Sequence, residues 1–401
     1  MITATAFAGK HYAVYGLARS GIATVEALLA GGAKVTAWDE KEEARAKAPT
    51  GTEIVHLDEA NLSQFDSLVV TPGLPLNRHA IAKRAREAGV EIIGDIELFA
   101  RARPELPPHK VVGITGTNGK STTTALIHHI LKTAGVPTTM GGNIGLPILA
   151  QDPLPEGGVY VLELSSYQID LTQSLDCDVA VLLNITPDHL DRYENFDAYA
   201  ASKMRLLEMS TGARVHGAAA VIDQSRWPAL QGPHNAQNAA AAREVCETLG
   251  IDSAAIEKGL CTYPGLPHRM ERVREKDGVL FLNDSKATNP TATAPALAAF
   301  QSIRWIVGGQ AKTDELDECA PHFGHVRSAY TIGEAAELFE RLLAPHMPVK
   351  NCGKLDEAVR QAAQDAEAGD TVLLSPACAS FDQFRDFEDR GDQFRELVGG
   401  L

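Results

Sequence analysis

Residues 114–124 read ITGTNGKSTTT, a glycine-rich turn with a lysine and a hydroxyl placed where an apolar strand meets a helix. Upstream, Val111, Val112 and Ile114 read as a buried strand; downstream, Leu126, Ile127, Ile130 and Leu131 recur at helical spacing, with Gly135 as the stop. The turn therefore feeds a helix N-terminus. Gly116 and Gly119 let the backbone approach phosphate oxygens, amide N–H groups and the helix dipole favour the anion, Lys120 adds charge, and Ser121 can ligate Mg²⁺. The arrangement predicts a site for a nucleoside triphosphate. One departure from the usual spacing is that Ile114 stands five residues before Gly119, with glycine one step earlier at Gly113.

The chain has 401 residues, enough for two to four domains with sizeable cores. Hydrophobic residues make up 44% and charged residues 22%, the balance of a folded soluble protein, so disorder is not expected. A formal net charge of -15 argues against nucleic acid as a main partner, because phosphate neutralisation needs a basic face. The six cysteines show no CxxC spacing, which suits a reducing cytoplasm. No leader pattern and no long uninterrupted apolar run is found, so a cytoplasmic protein without membrane insertion is expected.

Proline clusters at Pro104–Pro108 and Pro264–Pro267 divide the chain into blocks 1–105, 106–265 and 266–401. The first has a strand near Ala13–Tyr15, the turn Gly16–Gly21, a helix, and a strand ending Ala37-Trp38-Asp39, a β-α-β outline. Asp39 lies where a dinucleotide fold places its ribose-binding acid, but Ala18 replaces the middle glycine, so a plain packing turn stays open. Thr71-Pro72-Gly73 ends another apolar strand and could offer amides to a diphosphate. The middle block adds strands at Val159–Leu164 and Val179–Ile185. Glu163 inside an apolar strand is costly unless paired or metal-bound, and the phosphate loop favours Mg²⁺. His189, beside Asp188 and Asp191 after a strand end, is either a loop histidine or a ligand.

Tyr199, Lys203, Leu206 and Leu207 share one helical face, which points Lys203 inward; snorkelling to water is the alternative. Burial near other cations would lower its pKa and free the amine for carbamylation. In the third block, strands at Val279–Leu282, Ile303–Val307, Ala329–Ile332 and Thr371–Leu374 and a helix at Leu355–Ala368 are expected. Their carboxyl ends carry Asp284-Ser285-Lys286, Gly308-Gly309 and Ser375–Ser380, the expected crevice of an open sheet. Lys286 is either a solvated lysine or, with Asp284, Thr288 and Asn289, part of a cluster that handles phosphate or carboxylate.

Taken together, the chain resembles the Mur ligase family over nearly its whole length, through ITGTNGKST, GGNIGLP (141–147), VLELSSYQ (161–168), PDHLDRY (187–193), LPHRME (266–271), NDSKATN (283–289) and LLSPACASFDQF (373–384). The last two favour the members that add D-glutamate. The resemblance implies an α/β fold of three domains: a Rossmann-like N-terminal domain for a uridine nucleotide, a P-loop ATPase-like central domain with a mostly parallel sheet, and a Rossmann-like C-terminal domain for the amino acid. It implies a monomer that uses ATP and Mg²⁺ to join D-glutamate to UDP-N-acetylmuramoyl-L-alanine through an acyl phosphate. By the same resemblance Gly116, Thr117, Asn118, Gly119, Lys120, Ser121 and Thr122 would hold ATP, with Asn235, Asn238, Arg269 and Asp284 completing its site. Ser121, Glu163, His189 and a carbamylated Lys203 would hold two Mg²⁺, and Lys120, His189, Lys203 and Lys286 would serve catalysis. Gly16, Ala18, Arg19, Asp39, Lys41, Thr71, Pro72 and Gly73 would receive the uridine substrate, Asn143 would contact that substrate or the metal cluster, and His189, Thr288, Lys312, Ser380 and Phe387 would receive D-glutamate. Lys41 stands where the family leads one to expect arginine, and the run Met209–Gly232 is too short for the strands expected there.

Overall fold

A computed structural model describes residues 1–188, 192–217 and 222–401. The described residues form two compact units, those within 1–217 and 240–259, and those within 222–239 and 260–401.

The first unit holds two parallel sheets. One contains β1 (His11–Tyr15), β2 (Lys34–Trp38), β3 (Glu53–Ile54), β4 (Ser67–Val70) and β5 (Glu91–Ile93) in the order β3-β2-β1-β4-β5. The other contains β6 (His109–Thr115), β7 (Thr138–Gly142), β8 (Gly158–Glu163), β9 (Val179–Leu182) and β10 (Ala213–His216) in the order β10-β9-β6-β8-β7. β6, β8 and β9 run side by side with apolar residues on both faces, as the centre of a doubly covered parallel sheet requires. One apolar cluster spans both sheets, with Phe99 and Tyr160 rings 5.1 Å apart. Buried Glu97 pins the junction by accepting from Gln173 N, Ser174 N and Arg101 Nε at 2.7–2.9 Å.

The second unit is built on β11 (Glu271–Lys276), β12 (Val279–Asn283), β13 (Ile303–Gly308), β14 (Val326–Ile332), β15 (Val349–Gly353) and β16 (Thr371–Leu374), in the order β11-β12-β16-β13-β14-β15. Only β11 is antiparallel to its neighbour. Side chains alternate between two cores: Leu282, Trp305, Val307 and Leu373 face one, Phe281, Ile306, Val372 and Leu374 the other.

Two expected elements end several residues early, while the strand expected to Leu164 ends one residue before it at Glu163. The strand at Val179–Ile185 stops at Leu182, because Asn184 turns away to bond the phosphate loop. The helix expected to Ala368 stops at Asp365, where Ala366 becomes extended and the Glu367 N–H goes to Asp370 Oδ2 at 3.0 Å. Among the described residues no helix is long and apolar enough to cross a membrane.

Candidate active site

The phosphate loop joins β6 to the helix Lys120–Thr133. Gly116 has φ +152°, and a Cβ there would sit 3.0 Å from Leu183 Cβ; Gly119 is left-handed at φ +85° and caps the helix. Asn184 holds the loop from the neighbouring strand end: its Oδ1 accepts Asn118 N (2.8 Å), its Nδ2 donates to Asn118 O (3.0 Å), and its backbone O accepts Thr117 N (2.9 Å). Sequence reasoning passed over Asn184, although a lone asparagine just past an apolar strand was the available signal. Lys120 Nζ donates to Gly116 O (2.9 Å) and Thr117 O (2.8 Å), and Ser121 is buried in the first helical turn. Thr122 follows on the same turn.

Glu163 ends β8, level with Ile114 of β6, and is 2% exposed. Asn143 Nδ2 donates to its Oε1 at 2.9 Å, whereas its Oε2 is buried with no hydrogen-bond partner among the described residues. An unpartnered buried carboxylate oxygen is expensive, and a divalent cation is the fitting occupant. With the Ser121 hydroxyl and the phosphates of a nucleotide, an all-oxygen donor set suits Mg²⁺.

Lys203, in the helix Phe196–Glu208, is 2% exposed, so the inward reading holds and snorkelling does not. Its Nζ donates to Gly116 O at 2.9 Å and lies 4.7 Å from the centre of the Tyr199 ring, whose hydroxyl is 3.1 Å from Thr117 Oγ1. Burial, and then the nearby Lys120 charge, bring the Lys203 ammonium down from the usual 10.5 to about 7. His189 lies outside the described residues, as does Asp191.

At the carboxyl edge of the first sheet, Gly16 (φ +101°) approaches Thr71 so closely that a Cβ would come within 2.5 Å of Thr71 Oγ1. Ala18 begins the helix Arg19–Ala30 without a side-chain cap. Asp39 clamps the turn: Oδ2 accepts Leu17 N (2.7 Å) and Oδ1 accepts Lys41 N (2.9 Å), a structural load that its expected ribose role did not include. A cleft of about 710 Å³ opens here, lined by Ala18, Arg19, Asp39, Lys41, Lys47 and Pro147. Thr71, Pro72 and Gly73 form the turn after β4, with Arg192 Nη2 donating to Leu74 O at 2.8 Å.

In the second unit Asp284 is buried just past β12, accepting from Ser375 Oγ (2.7 Å) and Met270 N (3.2 Å). Burial pushes its carboxyl up to about 7, against the pull of those two bonds and of Arg269. Lys286 Nζ lies 5.0 Å from the Phe387 ring centre, and Lys312 Nζ reaches Thr288 Oγ1 at 3.4 Å, while Ser380 is buried nearby in the loop after β16. Arg390, unnoticed in the sequence, is fully buried and ties two of these loops together. It donates to Ser285 Oγ (2.9 Å), Ser285 O (2.8 Å) and Cys378 O (3.1 Å). Asn235 and Asn238 are buried and bonded to each other at 3.1 Å. The loop, Glu163 and Lys203 thus lie in the first unit, and Asn235, Asn238, Arg269 and Asp284 in the second.

A phosphate loop beside a metal-competent carboxylate and a low-pKa lysine defines an ATP-using enzyme, and the comparisons place it. Residues 10–94 match the "Mur ligase MurD-like, N-terminal domain", 114–226 the "Mur ligase middle domain" and 268–378 the "Mur ligase, glutamate ligase domain". The chain belongs to the Mur ligase family, as an α/β protein of three domains, one on each sheet. It is 59% identical to the UDP-N-acetylmuramoylalanine-D-glutamate ligase of Novosphingobium aromaticivorans, covering 100% of this chain and 97% of the relative. It is 53% identical to the protein of that name from Zymomonas mobilis, covering 100% of both. The first alignment runs over 429 positions against 401 residues here, so that relative carries residues this chain lacks. Among solved structures, MurC of Thermotoga maritima superposes with TM-score 0.60 at 17% identity (98% and 99% covered). MurF of Thermotoga maritima, in complex with ADP, gives 0.57 at 17% identity (100% and 98% covered). At such identity these two show the fold alone.

Proposed function

We propose that this protein is the cytoplasmic ligase that joins D-glutamate to UDP-N-acetylmuramoyl-L-alanine at the expense of ATP, acting as a monomer in cell-wall precursor synthesis. The observation that carries the site is the buried, unpartnered Oε2 of Glu163 at a strand end beside the phosphate loop. The amino acid and the uridine carrier follow from the relatives' names.

The substrate carboxylate must attack the γ-phosphate of ATP, which brings two anions together. Gly116–Thr122 cradle the phosphates, Lys120 supplies positive charge, and Glu163 and Ser121 would hold a Mg²⁺ ion. When bound, Mg²⁺ neutralises phosphate charge and withdraws electrons from the transferring group. Transfer gives an acyl phosphate and ADP. The D-glutamate amine then attacks the acyl carbon, phosphate leaves, and an amide forms; a base takes the amine proton, a task for His189. Lys203, with its depressed pKa, is neutral often enough near pH 7 to take up CO₂ as a carbamate with loss of a proton, which would give a second anionic ligand for a metal. The cleft at Ala18, Arg19, Asp39 and Lys41, with Gly16 and the turn Thr71–Gly73 at the same sheet edge, takes the uridine diphosphate, and Thr288, Lys312, Ser380 and Phe387 take D-glutamate. Asn235, Asn238, Arg269 and Asp284 serve the nucleotide, and Lys286 the phosphoryl group.

The test is phosphate release from ATP with Mg²⁺ and UDP-N-acetylmuramoyl-L-alanine, comparing D-glutamate with L-glutamate, L-lysine and meso-diaminopimelate. Release that needs both D-glutamate and the uridine substrate is expected. Release with another amino acid would move the assignment to a sister ligase, and ATP binding without release would make the chain a nucleotide-binding homologue.

A further inference from the structure

Gln151 follows the short turn Ile148–Ala150 and is 8% exposed. Its Nε2 donates to Met140 O and to Leu146 O, both at 2.9 Å, so one amide grips the two ends of the loop 140–146. Its Oε1 accepts the Thr139 hydroxyl, which fixes the end of the amide that carries the donors. The amide packs against Gly141, where a Cβ would stand 3.2 Å from Nε2.

Between the two gripped carbonyls lie the residues that touch Glu163. Gly142 has φ +87°, and a Cβ there would meet Glu163 O at 2.1 Å. Asn143 binds Glu163 twice, through its backbone N to Glu163 O (2.8 Å) and its side chain to Oε1 (2.9 Å). If the loop ends were released, Asn143 would drift, and the carboxylate would lose the bond that occupies Oε1 and leaves Oε2 as the oxygen without a partner among the described residues. The turn that presents Gln151 also reaches the other substrate. Pro147 and Ala150 line the cleft at Ala18–Arg19, and Leu149 O accepts Ile2 N at 3.0 Å.

We propose that Gln151 is a positioning residue for the metal-binding carboxylate: it holds the loop 140–146 so that Asn143 orients Glu163, and it links that carboxylate to the wall of the uridine cleft. The inference rests on the roles assigned above to Glu163 and to the cleft. A packing residue would support stability alone. A positioning residue also sets cation affinity and makes that affinity respond to the uridine substrate, since a coupling between two sites acts in both directions.

The experiment uses the full chain with ADP, Mn²⁺ as a paramagnetic stand-in for Mg²⁺, and spin resonance to count free Mn²⁺, with and without UDP-N-acetylmuramoyl-L-alanine. Gln151→Met, close in volume but without the three bonds, is expected to weaken Mn²⁺ binding roughly tenfold and to abolish the tightening that the uridine substrate produces in the wild type. Asn143→Ala is expected to match it, and the double variant to be no weaker than Asn143→Ala alone, because the two act in series. Thr139→Val, which removes only the hydroxyl that orients the amide, should shift affinity about threefold in the same direction, and it decides the matter where Gln151→Met does not fold. Mn²⁺ affinity in Gln151→Met within twofold of wild type at an unchanged melting temperature would overturn the proposal, as would full additivity with Asn143→Ala. Failure of the wild type itself to bind Mn²⁺ with ADP would overturn the metal assignment of Glu163 and this inference with it.

Discussion

Lys203→Met tests the electrostatics of the phosphate loop most directly. In the folded chain the Lys203 ammonium is destabilised by burial and by Lys120, and its pKa falls from the usual 10.5 to about 7. A folded-state pKa below the unfolded one means that the unfolded chain binds more protons between those two values. Stability from this group is therefore complete above the unfolded value and is lost as pH falls towards the folded one. Each pH unit in the interval is worth about 1.4 kcal/mol, and the whole interval on the order of 5 kcal/mol. Methionine keeps most of the buried stem and removes the charge, at the cost of the bond to Gly116 O. In urea unfolding at pH 7, 8 and 9 in CO₂-free buffer, the wild type should therefore gain on Lys203→Met by about 1.4 kcal/mol per pH unit. Added bicarbonate at pH 8 should stabilise the wild type and leave the variant unchanged. Parallel stability curves for the two proteins would refute the reasoning, because a lysine with an ordinary pKa contributes no slope in that range.

Asp284 tests the opposite sign. Its carboxyl is raised to about 7, so its contribution to stability is complete below the unfolded carboxylate pKa and is lost as pH rises through 7. Asp284→Asn should remove that loss, making the ligand-free protein less sensitive to pH between about 4 and 7 in thermal melts, while weakening nucleotide binding. At Gly142→Ala, the 2.1 Å approach to Glu163 O forces the backbone apart, and positive φ adds strain. The expected result is about a hundredfold loss of Mg²⁺-dependent turnover with a modest fall in melting temperature, measured by phosphate release at saturating ATP. Arg390→Met removes the strut between the Ser285 and Cys378 loops and leaves their carbonyls unpaired. It should raise the KM for D-glutamate by an order of magnitude and lower the melting temperature, since buried unpaired groups cost about 1–3 kcal/mol each.

What the sequence revealed and what it hid divide along one physical line. Central strands such as β6, β8, β9 and β16 are legible because both faces are buried, which leaves an unbroken apolar run. The edge strands β3, β10 and β15 were missed: Glu53 and Ile54 are both exposed, and β15 carries Lys350 and Asn351 outward, so pairing with a neighbour and not composition makes them strands. The same division runs through the site. Lys120, Ser121 and Lys203 could be read because a turn before a helix and the face of a helix are local geometries. Glu163 could be suspected because a carboxylate in an apolar strand demands a reason. The braces could not, because each acts at a distance in the chain. Asn184 reaches Asn118, Arg390 reaches Ser285, and Asn143 meets Glu163 through the register of β7 against β8. Reacting groups are constrained by the chemistry of their neighbours in sequence, whereas their orientation is constrained by partners that only the sheet brings together. A substitution at Asn184 or Gln151 should therefore leave every recognisable motif intact and still misplace the groups those motifs supply.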